Sequence, residues 1–327
     1  MPRNALLMLI PTVAGLLAAA AVVEAQVQMR PTQPLTAPPP IPHGETSRPN
    51  PPQSFKKPKY DTLLRDGERV RGGRNILAAW FSDPTDRYKH TPFGSPMHPT
   101  TLTISNAERQ VFRLSLPKGS VFEDRSPRIV DVDGDGTDDV VVIRAHERQG
   151  ASLAIASQRN GALEIIAETP PIGIPHRWLN PAGFADFDGD GKPDIALVVT
   201  PHIRGELQFW TLRDGQLEQL ADVGNVSNHV NGSLHLKLSA VADFNGDGVA
   251  DIALPSQDRR TLRFFSLAGG KLQELGEKFL PAPAAEDFEV VTVAGRPAVR
   301  VGLAGGRHMI VSPCRDIGDW EMAKGSC

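Results

Sequence analysis

Three nine-residue acidic segments recur along the chain in one register: Asp131-Val132-Asp133-Gly134-Asp135-Gly136-Thr137-Asp138-Asp139, Asp186-Phe187-Asp188-Gly189-Asp190-Gly191-Lys192-Pro193-Asp194 and Asp243-Phe244-Asn245-Gly246-Asp247-Gly248-Val249-Ala250-Asp251. Their starts lie 55 and 57 positions apart. A period of this size marks a repeat architecture, in which one supersecondary unit is copied and neighbours bury each other's faces. The similarity continues beyond the loops. Each is followed by an apolar run (residues 140–143, 195–199 and 252–254) and then by a second strand-like run (153–156, 207–212 and 262–267). A tight turn comes next, Asn160-Gly161, Asp214-Gly215 or Gly269-Gly270, of the kind that closes hairpins. A last alternating run ends each unit, at 163–166, 217–220 and 272–275.

With the short run before each acidic loop, every unit holds four antiparallel strands, which is one blade of a β-propeller. The flanks resemble worn copies. Residues 102–104 and 111–114 match the third and fourth strands of an earlier blade, and 287–293, 298–301 and 309–311 the first three of a later one. In that last copy Gly295-Arg296-Pro297 replaces the acidic loop. The expected fold is therefore an all-β propeller of five four-stranded blades over residues 59–313, with six blades as the alternative. An open array would expose strand edges. Composition agrees, because 30 Gly, 29 Pro and 6% aromatics suit short strands and many turns rather than a helical bundle.

Carboxylates at positions one, three, five and nine of a nonapeptide repel one another unless a cation neutralises them. The glycines allow a tight, partly left-handed path that turns alternate side chains inward. With a backbone carbonyl at position seven, each loop offers five oxygen positions. These are Asp131, Asp133, Asp135, Thr137 and Asp139; Asp186, Asp188, Asp190, Lys192 and Asp194; and Asp243, Asn245, Asp247, Val249 and Asp251. All-oxygen ligation selects hard cations, and a flexible carboxylate-rich loop suits Ca2+ better than Mg2+. Three calcium sites are expected, the third weaker because Asn245 removes one charge. The loops share D-x-D-x-D-G with an EF-hand, but Val142, Leu197 and Leu254 stand where its position-12 Glu would be.

The D-x-[DN]-G-D-G-x-x-D loop followed by an apolar strand resembles the FG-GAP/VCBS repeat family, seen in integrin α-chain propellers and in many bacterial exported proteins. The resemblance covers residues 126–281 well and the flanks weakly. It implies a calcium-stabilised propeller acting in adhesion, ligand binding or assembly. It carries over the five oxygen positions of each loop and no catalytic residue.

The ends of the chain point to export. Residues 1–25 read as a signal peptide, with Arg3, an apolar stretch, and Val23-Glu24-Ala25 before a cut at Gln26; an uncleaved anchor is the alternative. Residues 26–58 form a proline-rich disordered linker, including Pro38-Pro39-Pro40 and Pro51-Pro52. In the tail at 314–327, Cys314 and Cys327 are expected to pair as a disulfide in a secreted or periplasmic protein, the alternative being two reduced thiols. If the signal is cleaved, no stable membrane insertion follows.

A net charge of −3 removes the footprint of a general nucleic-acid binder. No nucleophile elbow, P-loop or dinucleotide fingerprint is present, and His146-Glu147 lacks the second His of a zincin. Because the acidic loops occupy one rim, the connections between blades lie on the other face. That face collects Arg87, Tyr88, His176, Arg177, Trp178, Asn228 and His229, together with Asp83 and His90 from a long loop at 82–100. Such residues suit a sugar or an acidic group, although Trp178 would equally serve as a plug for the channel. The leading expectation is a non-enzymatic binding, adhesion or scaffolding protein with a protein or carbohydrate ligand. The alternatives are a hydrolase or lyase on an exported polysaccharide or envelope polymer, and a purely structural calcium module.

Overall fold

Each acidic loop stands between the first two strands of an antiparallel meander, and the meanders follow one another along the chain. The computed structural model describes residues 67–313, which form five antiparallel sheets. The signal peptide, the linker, Cys314 and Cys327 lie outside the described residues.

The first sheet is β1 (Val70–Arg71), β2 (Ile76–Thr85), β3 (His98–Asn106) and β4 (Val111–Ser115). The second comprises β5 (Ser120–Phe122), β6 (Arg128–Val130), β7 (Asp139–His146), β8 (Gly150–Arg159) and β9 (Ala162–Glu168). Its inner strand is split: β5 and β6 both pair with β7, leaving residues 123–127 between them. The third is β10 (Leu179–Ala185), β11 (Asp194–Val199), β12 (Glu206–Arg213) and β13 (Gln216–Gly224), and the fourth β14 (Ala240–Ala242), β15 (Asp251–Pro255), β16 (Thr261–Ser266) and β17 (Gln273–Phe279). The fifth has three strands, β18 (Ala284–Val293), β19 (Arg296–Leu303) and β20 (Arg307–Val311).

Second strands are buried on both faces, which is why they read as unbroken apolar runs. Successive side chains serve opposite neighbours. Val140 and Val142 pack with Ile76, Phe81, Leu102 and Ile104 of the first sheet. Val141 and Ile143 pack with Ile195, Leu197 and Trp210 of the third. Ala196 and Val198 then face Ile252, Leu254 and Phe265 of the fourth, and Ala253 faces Val299, Val301 and Leu303 of the fifth. Fourth strands alternate half-buried and exposed residues, as outer strands do.

The repeat extends to backbone irregularities. A β-bulge falls at the same place between the third and fourth strands of three sheets, at Ile155/Ala156, Phe209/Trp210 and Phe264/Phe265. The turns Asn160-Gly161 and Asp214-Gly215 both have positive φ at both residues, the requirement of a type I′ hairpin. The third hairpin differs, closing through a short 3-10 turn at Ala268–Gly270.

Two long connections meet at one end of the sheets. The Gly232 N–H, between the third and fourth sheets, donates to the carbonyl of Pro92, between β2 and β3, at 2.8 Å. The loop carrying Pro92 is shorter than the 82–100 expected from sequence: β2 runs on to Thr85 and β3 begins at His98.

Candidate metal loops and an opposing cavity

The three acidic loops share one frame of backbone hydrogen bonds. The glycine at position six has φ of 88°, 88° and 89° (Gly136, Gly191, Gly248), a left-handed value that only glycine adopts cheaply. Its N–H donates to the first-position carboxylate: Gly136 to Asp131 at 3.0 Å, Gly191 to Asp186 at 2.9 Å, Gly248 to Asp243 at 2.9 Å. The N–H at position five donates to the side chain at three: Asp135 to Asp133, Asp190 to Asp188, Asp247 to Asn245. Position seven gives its N–H to five, from Thr137, Lys192 and Val249. The ninth-position carboxylate opens the second strand and accepts from the N–H at position two, from Val132, Phe187 and Phe244 to Asp139, Asp194 and Asp251.

Two of these loops gather carboxylates tightly. Asp131, Asp133 and Asp135, and likewise Asp186, Asp188 and Asp194, each bring one oxygen within 4.8 Å of the others, so each set could hold a metal ion. Asp131 Oδ1, Asp194 Oδ1 and Asp251 Oδ1 are buried without a hydrogen-bond partner. An orphaned carboxylate oxygen in each loop, in an all-oxygen donor set, fits a hard cation. Burial pushes Asp139 and Asp194 up to about 6, and raises Asp251. A hydroxyl-bearing residue stands across from each of them on the third strand, Ser157, Thr211 and Ser266 at equivalent positions. Two residues further on stand Arg159, 3.6 Å from Asp133, and Arg213, 3.7 Å from Asp188 and 3.2 Å from Asp190. Arg74 also reaches Asp131, at 2.6 Å.

The opposite end is reached by the second-to-third-strand connections and by those between sheets. There a cavity of about 280 Å³ is lined by His90, His176, Arg177, Trp178, residues 200–203 including His202, and Asn231. His90 Nδ1 lies 2.5 Å from Oε1 of Glu123, which is fully buried in the break between β5 and β6. Glu123 Oε2 has no hydrogen-bond partner, and burial pushes this carboxyl up to about 7. His202 Nε2 meets His229 Nδ1 at 2.7 Å, and His229 Nε2 meets the Ser233 carbonyl at 3.1 Å. A neutral imidazole has one donor, so donation to Ser233 leaves Nδ1 of His229 to accept from His202. Burial lowers His202 to about 4 and His229 to about 3, and both are neutral at pH 7.

Of the residues expected on this face, His176, Arg177 and Trp178 line the cavity. Trp178 is 2% exposed; its ring packs on Phe93, His202 and His229, and Nε1 donates to the Glu123 carbonyl at 2.9 Å. Its faces are thus taken up inside the protein, as in a plug. Tyr88, Asn228 and His229 are enclosed as well: the Tyr88 hydroxyl accepts from the His176 N–H, and the Asn228 amide donates to the Asn180 carbonyl. Arg87 points elsewhere, to the Pro117 and Ser120 carbonyls and Glu147. Asp83 is paired with Arg113 at 2.6 Å. His202 and Glu123 were not legible as site residues; counting strands would have placed His202, since residues 200–205 join a second strand to a third. Ser152, His146 and Glu168 also meet on the second sheet, but Ser152 is fully buried and gives its hydroxyl to Glu168, so no nucleophile is presented.

A run of antiparallel sheets bearing acidic nonapeptide loops at one end defines a β-rich repeat protein with candidate metal loops. Residues 131–254 carry two FG-GAP-like repeats, the family profile matching 131–197 and 186–254. No curated protein sequence matches the chain. Among solved structures, Sqt1 of Saccharomyces cerevisiae is similar at 13% identity and TM-score 0.40, over 73% of this chain and 63% of that one. BBS1N, solved in complex with ARL6DN, is similar at 15% identity and TM-score 0.41, over 72% and 62%. The PL11 rhamnogalacturonan lyase of Bacillus licheniformis is similar at 13% identity and TM-score 0.41, over 79% and 60%. The chain spans about three fifths of the length of each of these structures.

Proposed function

We propose that this protein is an exported five-bladed β-propeller that binds a protein or carbohydrate ligand without turning it over. Three calcium ions fasten the loops of one end, and the ligand enters the histidine-lined cavity at the other. The observation that carries this is the division of labour between the two ends: acidic loops on one, and on the other a cavity with a permanent cation, Arg177, and no lining carboxylate. The propeller is supported by sheets stacked face to face in chain order and by the bond from Gly232 across to Pro92. For the metal, the residues present fit calcium: each loop offers an orphaned carboxylate oxygen, and in the first two loops three carboxylates converge on one point. Bound calcium would supply charge neutralisation and cross-link the first and second strands.

A panel of glycans and envelope polymers, scored for both binding and turnover, tests the function. Binding should weaken at least fivefold in His176→Ala, Arg177→Ala and Asn231→Ala at unchanged melting temperature. Retention of binding by all three, with loss in a folded Asp188→Asn variant, would place the ligand at the wrong end. One observation favours a hydrolase or lyase instead: the Glu123–His90 pair sets an imidazole, oriented by a buried carboxylate, on the cavity wall. Turnover lost in His90→Gln would establish that reading. Export, cleavage before Gln26 and a Cys314–Cys327 disulfide belong to the same proposal; intact mass of the exported protein, before and after alkylation without reduction, checks all three.

A further inference from the structure

The three loops are a natural comparison, because they share a backbone and differ in charge. In the first two, position three is an aspartate and an arginine stands two residues past the third-strand hydroxyl. Arg159 reaches Asp133, and Arg213 reaches both Asp188 and Asp190, the latter through a hydrogen bond of 3.2 Å. In the third loop, position three is Asn245, and the residue two past Ser266 is Ala268. The two changes go together. The donor that Arg213 supplies to the fifth-position carboxylate is supplied in the third loop by Asn245 itself, whose Nδ2 donates to Asp247 Oδ2 at 2.9 Å. Among the described residues Lys192 forms no ion pair, while the first loop, with its extra Asp138, has Arg74 beside it, whose backbone N–H donates to Asp138 and whose guanidinium meets Asp131.

We propose that Arg159 and Arg213 are built-in counter-ions that hold the first two loops in their calcium-binding shape before the metal arrives, and that they set calcium affinity below what four carboxylates would give. This rests on the calcium reading of the loops. Without metal, four clustered carboxylates repel, and a guanidinium among them relieves that repulsion. With metal, the same guanidinium repels a divalent ion one carboxylate away. The third loop reaches the same balance with one carboxylate fewer and no arginine. The expectation that Asn245 makes the third site weakest counts ligands only; counting the arginines brings the three sites close together in affinity.

The test is calorimetric calcium titration of metal-free full-length protein at low salt, with melting curves in chelator. Arg213→Ala should tighten one of the three sites about five- to tenfold, the factor expected for removing a unit charge beside a divalent ion under water-like screening. It should also lower the melting temperature in chelator. Arg213→Lys, which keeps the charge, should bind as the parent does, and Ala268→Arg should weaken one site. Unchanged or weaker binding in Arg213→Ala, with the parent still binding three ions, would overturn the proposal alone. No calcium binding by the parent would overturn the reading beneath it as well.

Discussion

Trp178 shows how a residue can be found by sequence and its role still be set by packing. A tryptophan next to His176 and Arg177, on the face opposite the acidic loops, suits a stacking platform. In the fold its ring lies between Phe93, His202 and His229, and its one polar atom is spent on the Glu123 carbonyl. Trp178→Ala should therefore cost about 3–5 kcal/mol of stability, as large-to-small changes in a core do, measured by denaturant unfolding at fixed calcium. Normal stability with lost ligand binding would restore the platform. Glu123 yields a second expectation. Its pKa is about 7 in the folded protein against an unperturbed 4.5, so the folded state holds the proton more tightly and stability falls as pH rises across that window. The depressed His202 and His229 act with the opposite sign below pH 6.5, so the Glu123 contribution is read as a difference between variant and parent. The stability of Glu123→Gln relative to the parent should rise between pH 4.5 and 7 by about 1.4 kcal/mol per pH unit. A difference that stays flat with pH contradicts the burial assigned to this carboxyl.

At the scale of elements, the acidic loops were fully legible because each of their features is local: glycines where φ must be positive, carboxylates in alternation, an apolar strand immediately after. What was not legible needs a partner strand. The hydroxyls of Ser157, Thr211 and Ser266 and the arginines of the first two loops lie on third strands, and only pairing of the second and third strands brings them to the loops. The split of the second sheet's inner strand into β5 and β6 was equally hidden, and that break is what buries Glu123. The ninth-position carboxylate illustrates both levels. Asp194 serves the backbone, accepting from Phe187, and the metal loop, through its unpartnered Oδ1. Asp190, exposed at position five, serves the loop alone. Asp194→Ala should lose about 1–3 kcal/mol even in chelator, because the Phe187 N–H is left buried without a partner. Asp190→Ala should lose stability chiefly in calcium. Equal losses for both variants in chelator would mean that the two positions are not distinguished as the loop geometry requires.

For the whole molecule, the period gave the three central units and the order of their strands, while the first and last sheets, which lack the acidic loop, were read from weaker runs at 102–114 and 287–311. The contacts of the long connection after β2 were not in the pattern: its Pro92 meets Gly232 and its Phe93 packs on Trp178 and His229. Apolar clusters join each sheet to its neighbour, and in the calcium reading the loops fasten the first and second strands at one end. Melting of initially metal-free protein in chelator and in saturating calcium therefore bears most directly on the claim that the acidic loops are calcium clamps. One site held at 100 times its dissociation constant contributes about 2.7 kcal/mol, and three contribute more. The expected result is a clear rise in melting temperature with calcium that chelator reverses. Identical melting curves in calcium and in chelator would contradict it.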